Sequence, residues 1–126
     1  VQQAVTSLVN DCDAIYIPTD NVLASAMSIV SEVTLSSKTP VVCGESGMVK
    51  VGGLATLGIN YYNLGYQAGQ MAIRVLEGTD ISTMPIEASS NYDFCVNGDT
   101  ADALGITVPE KYADAVIYPS KEAAAE

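Results

Sequence analysis

The sequence predicts an α/β fold in which a parallel sheet is sandwiched by helices. Two observations support this prediction. Short runs that are apolar at every position, such as 14–18 and 41–43, are typical of strands buried on both faces, and they alternate along the chain with segments of helical spacing. The chain has 126 residues, of which 48% are hydrophobic. That length suits one compact domain with a real core.

The elements follow one another in an order that matches this fold. The predicted strands are short apolar runs, and they cover residues 14–18, 41–43, 54–59 and 92–96. The predicted helices have apolar residues at spacings of three and four, and they cover residues 2–10, 22–35, 61–77, 99–104 and 109–113. Gly78 ends the longest helix, and the Ala- and Glu-rich tail is expected to fray from Ser120 onward.

Composition narrows the possible partners. Five Lys and Arg residues face 15 Asp and Glu residues, which gives a formal net charge of −10. A surface of that sign repels nucleic acid and anionic lipid, so we predict no nucleic-acid partner. No apolar run approaches the ~20 residues that span a bilayer.

The chain opens inside an amphipathic pattern, with Val1, Val5 and Leu8 on one face, so we expect a fragment of a longer polypeptide.

The chemistry of the side chains argues against an enzyme. The chain has no histidine, so neither a Ser-His-Asp nor a Cys-His arrangement can be built within it. No nucleotide-binding glycine motif follows a strand, and no cofactor is predicted. Cys12, Cys43 and Cys95 lack C-x-x-C spacing, so we predict small core residues and no metal site.

Polar residues follow three of the predicted strands where each strand ends. They are Thr19-Asp20-Asn21, Gly44-Glu45-Ser46 and Asn60-Tyr61. Because ligands bind outside the carboxyl ends of strands in an open parallel sheet, we predict a ligand site from these three turns. Each turn also has a simpler interpretation. Thr19, Asp20 or Asn21 would only cap the next helix, Glu45 would be a solvated loop residue, and Tyr61 and Tyr62 would only cover the sheet edge.

Three blocks of sequence carry a family resemblance. They are DAIYIPTDNVLASA, PVVCGESGMVKVGGLATLGINYYNLGYQAGQMAIRVLEG and DFCVNGDTADALGITVPEKYADAVI. In order and spacing they resemble the substrate-binding proteins of ABC transporters, in the subfamily of tryptophan and other aromatic amino-acid binders. The resemblance implies one Rossmann-like lobe of the type I periplasmic-binding fold. Residues 1–118 would form the C-terminal ligand-binding lobe, and residues 119–126 a frayed tail.

The resemblance also implies a function, partners and a location. A small ligand, expected to be an amino acid, would bind in a cleft between this lobe and a missing N-terminal lobe, and a membrane permease would recognise the closed form. The parent would be extracytoplasmic, either periplasmic or anchored as a lipoprotein, and the isolated lobe would self-associate. Asp20 or Glu45 would accept hydrogen bonds from the ligand's ammonium group. Thr19 and Ser46 would bind its carboxylate, and Tyr61 would contact its side chain.

Two alternatives remain open from the sequence. The chain also resembles, more faintly, the effector domains of LacI-type transcriptional regulators, in which an Asn-Asp pair stands at the Thr-Asp-Asn position. Here the order is Asp20-Asn21, which leaves open which side chain faces the cleft. A small α/β enzyme is the third hypothesis, and a metal or nucleotide at the Thr19 and Glu45 edge would favour it.

Overall fold

The computed structural model describes residues 1–89 and 91–120 and confirms the α/β class. Five strands form one sheet in the order β1-β2-β3-β4-β5. The strands are β1 (Ile15–Ile17), β2 (Val41–Cys43), β3 (Ala55–Ile59), β4 (Tyr92–Asn97) and β5 (Val116–Ile117). The α-helices are α1 (Gln2–Asp11), α2 (Asn21–Ser25), α3 (Met27–Ser36), α4 (Ser46–Lys50), α5 (Tyr61–Leu76) and α6 (Gly98–Leu104). Within the described part of the chain, no helix has the length and apolar character needed to span a membrane.

The first three strands run in the same direction. β1 pairs with β2 in parallel, with Ile15 opposite Val41, and β2 pairs with β3 in parallel. Their carboxyl ends therefore share one edge of the sheet, as predicted. The N–H of Asn97 donates to the carbonyl of Leu54 at 2.9 Å, which places the carboxyl end of β4 beside the amino end of β3. β5, which the sequence does not predict, pairs in parallel with β4.

Two local features differ from the predicted elements. The helix predicted over 22–35 is two helices that meet at Ala26. The hydroxyl of Ser25 donates to the carbonyl of Asn21 at 2.8 Å, a back-bond that bends helices. The predicted polar break at 44–47 contains the start of α4, because Glu45 caps that helix.

The chain divides into two compact units. The first comprises Val1–Gly58 and the chain from Phe94 onward, and the second comprises Ile59–Asp93. The hydrophobic core belongs to the first unit, where α1, α3 and α4 supply Val5, Val30 and Met48. The central residues of its strands are exposed instead, Tyr16 to 66% and Leu57 to 68%. The expected burial of both strand faces is therefore absent at these positions.

In the second unit, α5 is tied to the segment that follows it. Arg74 forms an ion pair with Glu87, and Gln67 Nε2 donates to the other oxygen of the same carboxylate at 3.1 Å. Asp80 caps a short 3₁₀ helix, Ile81–Thr83, through a 2.9 Å bond from the Ser82 N–H. The contacts of Glu87 thus hold the end of the 80–87 segment against α5, and the Asp80 cap orders the turn at its start.

The cysteines and the tail complete the comparison with the sequence. Cys43 and Cys95 are buried, as predicted, but Cys12 is exposed. The prediction is wrong for Cys12 because that residue is the C-cap of α1, beyond the helix's buried face. In the predicted tail, the N–H and hydroxyl of Ser120 donate to the carboxylate of Asp99 at 2.8 and 2.7 Å. Residues 121–126 lie outside the described part of the chain.

Candidate functional site

The first predicted turn, Thr19–Asn21, connects β1 to α2. Asp20 has an extended backbone, and its Oδ1 accepts the N–H of Leu23 at 2.8 Å. Asp20 is therefore the N-cap of α2, so the capping interpretation holds for this residue. Its side chain is exposed, and its second carboxylate oxygen has no hydrogen bond with residues 1–89 or 91–120. Capping thus leaves one oxygen of Asp20 available for a ligand.

The second predicted turn, Gly44–Ser46, lies directly against the first. The hydroxyl of Thr19 donates to the carbonyl of Gly44 at 3.2 Å, and the Gly44 N–H donates to the carbonyl of Ile17 at 2.8 Å. A Cβ on Gly44 would collide with the backbone nitrogen of Thr19. Two of the three predicted turns therefore meet at the same sheet edge, and only glycine permits their close approach.

Glu45 binds its own helix rather than extending into solvent. Its Oε1 accepts the N–H of Met48 and its Oε2 accepts the N–H of Gly47, each at 2.7 Å. The side chain is half-buried. The interpretation of Glu45 as a solvated loop residue is wrong, because both carboxylate oxygens satisfy backbone donors at the start of α4, where a negative charge is favoured. Ser46 follows as the first residue of that helix.

The carboxyl end of β3 packs against the second turn. A Cβ on Gly58 would lie 3.0 Å from both the Gly44 carbonyl oxygen and the Glu45 Cα. Nearby on the same strand, Thr56 is 1% exposed, and its hydroxyl has no hydrogen-bond partner among the described residues. The carboxyl end of β3 thus reaches the same edge as the two turns.

The third predicted turn, Asn60–Tyr61, belongs to the second unit. Asn60 caps α5, since its Oδ1 accepts the N–H of Asn63 at 2.8 Å. Its Nδ2 donates to Oδ2 of Asp93 at 2.7 Å. Tyr61 is the first residue of α5, and 53% of its surface is exposed. Sequence analysis missed Asp93, because 33 residues separate it from Asn60 and no local motif links the two.

The thiol beside the second turn is not a nucleophile. Burial, together with a smaller contribution from the negative charge of Glu45, raises the pKa of Cys43 to about 12. Cys43 is therefore a neutral thiol at neutral pH, whereas the thiolate is the reactive and metal-binding form. Among residues 1–89 and 91–120, no cluster of three His, Cys, Asp or Glu side chains is arranged to hold a metal ion.

A separate cavity lies elsewhere in the first unit. It has a volume of about 660 Å³, and α6, the loop after it and β5 supply its walls, including Ala101, Val108 and Val116. None of the predicted site residues lines it. Since α6 follows the carboxyl end of β4, which lies beside the amino end of β3, the cavity is at the opposite end of the sheet from the first two turns.

The sequence and fold are similar to those of known binding proteins. The family model described as ABC transporter substrate binding protein matches residues 1–117. A tyrosine-binding protein of Clostridioides difficile is 44% identical over 104 residues, a match that covers 82% of this chain and 30% of that protein.

Solved structures give the same result. A ligand-free, open substrate-binding protein with adhesive properties from Clostridium difficile is 43% identical, with a TM-score of 0.74, over 93% of this chain and 40% of that one. A Streptococcus pneumonia protein in complex with L-Trp is 35% identical, with a TM-score of 0.83, over 93% of this chain and 41% of that one. The chain spans less than half the length of each relative. By its family match and these identities, the chain belongs to the ABC transporter substrate-binding proteins.

Proposed function

We propose that this chain is one lobe of the solute-binding component of an ABC importer, and that it forms one wall of a cleft for an amino acid, most simply an aromatic one. The observation that carries the proposal is its 44% identity to a tyrosine-binding protein, supported by the likeness to a structure that contains L-Trp. Because the chain covers 30% to 41% of these relatives, a second lobe outside this sequence would supply the other wall.

Each of the predicted turns would have a role in that cleft. The proposed ligand contacts are Thr19, Asp20, Asn21, Gly44, Glu45, Ser46, Asn60 and Tyr61. An amino acid carries an ammonium group that needs acceptors, one of them ionised when the site is dry. Asp20 suits this role better than Glu45, since one oxygen of Asp20 accepts no hydrogen bond from the described residues, whereas both oxygens of Glu45 do. Ser46 would donate to the carboxylate, and Tyr61 would pack against the side chain. The hydroxyl of Thr19 already donates to the carbonyl of Gly44, so Thr19 would first have to release that bond to donate to the same carboxylate.

Transport would then follow from closure of the two lobes. A ligand that contacts both lobes favours the closed state by its extra affinity for that state. A membrane permease would recognise the closed form. The protein would act outside the cytoplasm, in the periplasm or as an anchored lipoprotein, and would bind its ligand without chemical change. Without its partner lobe, the chain would self-associate.

Calorimetric titration of the longer, two-lobe protein tests the proposal. We expect saturable binding of L-Tyr, L-Trp or L-Phe, with no heat from the D-enantiomers or from sugars. Ligand should also raise the melting temperature in proportion to its affinity, because only the folded state binds it. If no amino acid binds, the proposed function is wrong.

Two conservative variants separate ligand binding from helix capping. Asn caps helices as well as Asp does, so Asp20→Asn should keep the stability of α2 while it removes the charge. We expect it to weaken amino-acid binding by about tenfold or more, as when a hydrogen bond to a charged group is lost. Glu45→Gln is the matched variant and should have a smaller effect on affinity. If both variants bind the amino acid with wild-type affinity, neither carboxylate is the acceptor for the ammonium group.

A further inference from the structure

We propose that Asp93 is a positioning residue, which holds the side-chain amide of Asn60 in the orientation that binds the ligand. This inference rests on the proposed function, because it assigns Asn60 a place in the amino-acid site. Asp93 lies on β4, near its amino end, and shares no sequence motif with the three predicted turns. Its role follows from its contact with Asn60 in the second unit.

The amide of Asn60 is held at both of its ends. Its oxygen accepts the N–H of Asn63 at 2.8 Å, and its nitrogen donates to Oδ2 of Asp93 at 2.7 Å. A side-chain amide has two donor hydrogens and one acceptor oxygen. One Nδ2 hydrogen is therefore without an acceptor among the residues that the structure describes, and its direction is fixed because the other hydrogen and the oxygen are already bonded. This hydrogen is suited to an acceptor oxygen of the ligand.

Asp93 is better suited to this role than a neutral side chain. A hydrogen bond to an ionised carboxylate is shorter and about twice as strong as one between neutral groups. The cap alone fixes only the oxygen of Asn60, whereas the bond to Asp93 fixes the plane of the whole amide. Asp93 is exposed, so its loss removes little buried surface and should leave the fold intact.

The first experiment measures the contact in this 126-residue chain itself. The side-chain NH₂ signals of Asn60, assigned through Asn60→Ser, should move in the proton–nitrogen NMR spectrum when Asp93→Ala removes the carboxylate that accepts from them. They should stay in place in Asp80→Ala, which removes another exposed carboxylate of the second unit. Asn60 signals that are unchanged in Asp93→Ala would overturn the assignment of this contact.

The second experiment measures amino-acid affinity in the two-lobe protein. Asp93→Ala should weaken binding by about tenfold, as expected for loss of a charge-assisted hydrogen bond. Asp93→Asn should retain most of the affinity, because its Oδ1 can still accept from Asn60. Asp80→Ala is the matched control, since Asp80 is another exposed carboxylate of the second unit and, among the described residues, bonds only within its own 3₁₀ turn. That control should bind as the wild type does.

A double variant distinguishes positioning from direct contact. Ser can still cap α5 but has no amide, so Asp93→Ala should cause no further loss of affinity in the Asn60→Ser background. The proposal would be overturned if Asp93→Ala and Asp93→Asn weakened amino-acid binding equally, and did so again in the Asn60→Ser background. Asp93 would then contact the ligand directly. Unchanged affinity in Asp93→Ala would also overturn it. If the wild type binds no amino acid, the proposed function fails, while the NMR result still decides whether Asp93 holds Asn60.

Discussion

The thiol of Cys43 lies where the core of the first unit meets the second turn. Its side chain is 2% exposed, and burial, with a further contribution from Glu45, raises its pKa to about 12. Cys12 occupies the contrasting environment, because it is exposed at the end of α1. Since thiolate content and access together control cysteine reactivity, the two residues should differ strongly.

We predict that a thiol reagent modifies Cys12 rapidly in the native chain and leaves Cys43 unmodified. The measurement is mass spectrometry of peptides after timed alkylation near neutral pH, with the denatured chain as the reference for full reactivity. Cys12→Ser is the control and should abolish the rapid phase. Native modification of Cys43 at the rate of Cys12 would contradict its burial beside the turn.

At the same residue scale, the sequence predicts which residues end the strands but not what each side chain contacts. It indicates polar residues at Asp20, Glu45 and Asn60, and each of them caps the helix that follows. Capping depends on three or four consecutive residues, so local sequence can predict it. The bond between Asn60 and Asp93 depends on the path of 33 intervening residues, which the local pattern does not contain.

At the scale of elements, the approach of β1 and β2 depends on a glycine. A Cβ on Gly44 would collide with the backbone and hydroxyl of Thr19. A flexible side chain could move out of such a collision, but backbone atoms cannot. Gly69 has the opposite environment, since it is exposed within α5 and a Cβ there would meet nothing within 4 Å. The two glycines therefore form a matched pair for mutation.

We predict that Gly44→Ala lowers the free energy of unfolding by about 1–3 kcal/mol, the usual cost of overpacking. Gly69→Ala should raise it by about 0.5–1 kcal/mol, because alanine loses less backbone entropy in a helix. Urea denaturation followed by circular dichroism measures both. A neutral or stabilising Gly44→Ala would show that the two turns can separate without cost.

A second element-scale prediction concerns acid. The hydrogen bonds from Arg74, and then from Gln67, lower the pKa of Glu87 below its ordinary value. A carboxyl group with a lowered pKa in the folded state stabilises that state at neutral pH, and this contribution is lost as the pH falls through the folded-state pKa. Acid should therefore release the 80–87 segment from α5.

We expect this release to appear as faster amide exchange or proteolysis of residues 80–87 at low pH. Glu87→Gln should reduce the pH dependence, because the ionisable partner of Arg74 is then absent. Asp80→Asn provides the comparison, since backbone and side-chain hydrogen bonds from Ser82 also lower the pKa of Asp80, but without an ion pair to α5. Identical acid responses of the wild type and Glu87→Gln would rule out this ion pair as the acid-sensitive contact.

The sequence predicts best those elements that have a sustained hydrophobic period or a residue that clearly ends them. α5 is predicted over 61–77 and observed over Tyr61–Leu76, because its spacing is sustained and Gly78 ends it. The break at Ala26 and the two-residue strand β5 are not predicted. A side-chain back-bond from Ser25 precedes the first, and pairing with β4 creates the second. Neither is visible in hydrophobic periodicity.

At the scale of the whole molecule, the sequence identifies the family and spans less than half the length of the relatives that it matches. The three blocks that carry the resemblance extend to residue 117, and the family model matches residues 1–117. The relatives are more than twice as long as the matched region. In a two-lobe binding protein both walls contact the ligand, so the residues of one wall determine only part of the specificity.

Exposed apolar residues on the sheet of the first unit lead to the final prediction. Tyr16, Val42 and Leu57, the central residues of their strands, are 66%, 39% and 68% exposed. Adjacent exposed apolar side chains of this kind favour association. We expect the chain to self-associate reversibly, with an apparent mass that rises with concentration in sedimentation or light-scattering measurements.

Leu57→Lys should lower this association, because it places a charge within the apolar set, while its exposed position spares the core. Ile86→Lys is the matched control, since Ile86 is also an exposed apolar residue but lies in the second unit. That variant should associate as the wild type does. Salt should weaken the mutual repulsion of chains with a net charge of −10 and so strengthen an apolar contact. A chain that remains monomeric at high concentration in high salt would show that these residues do not form an association surface.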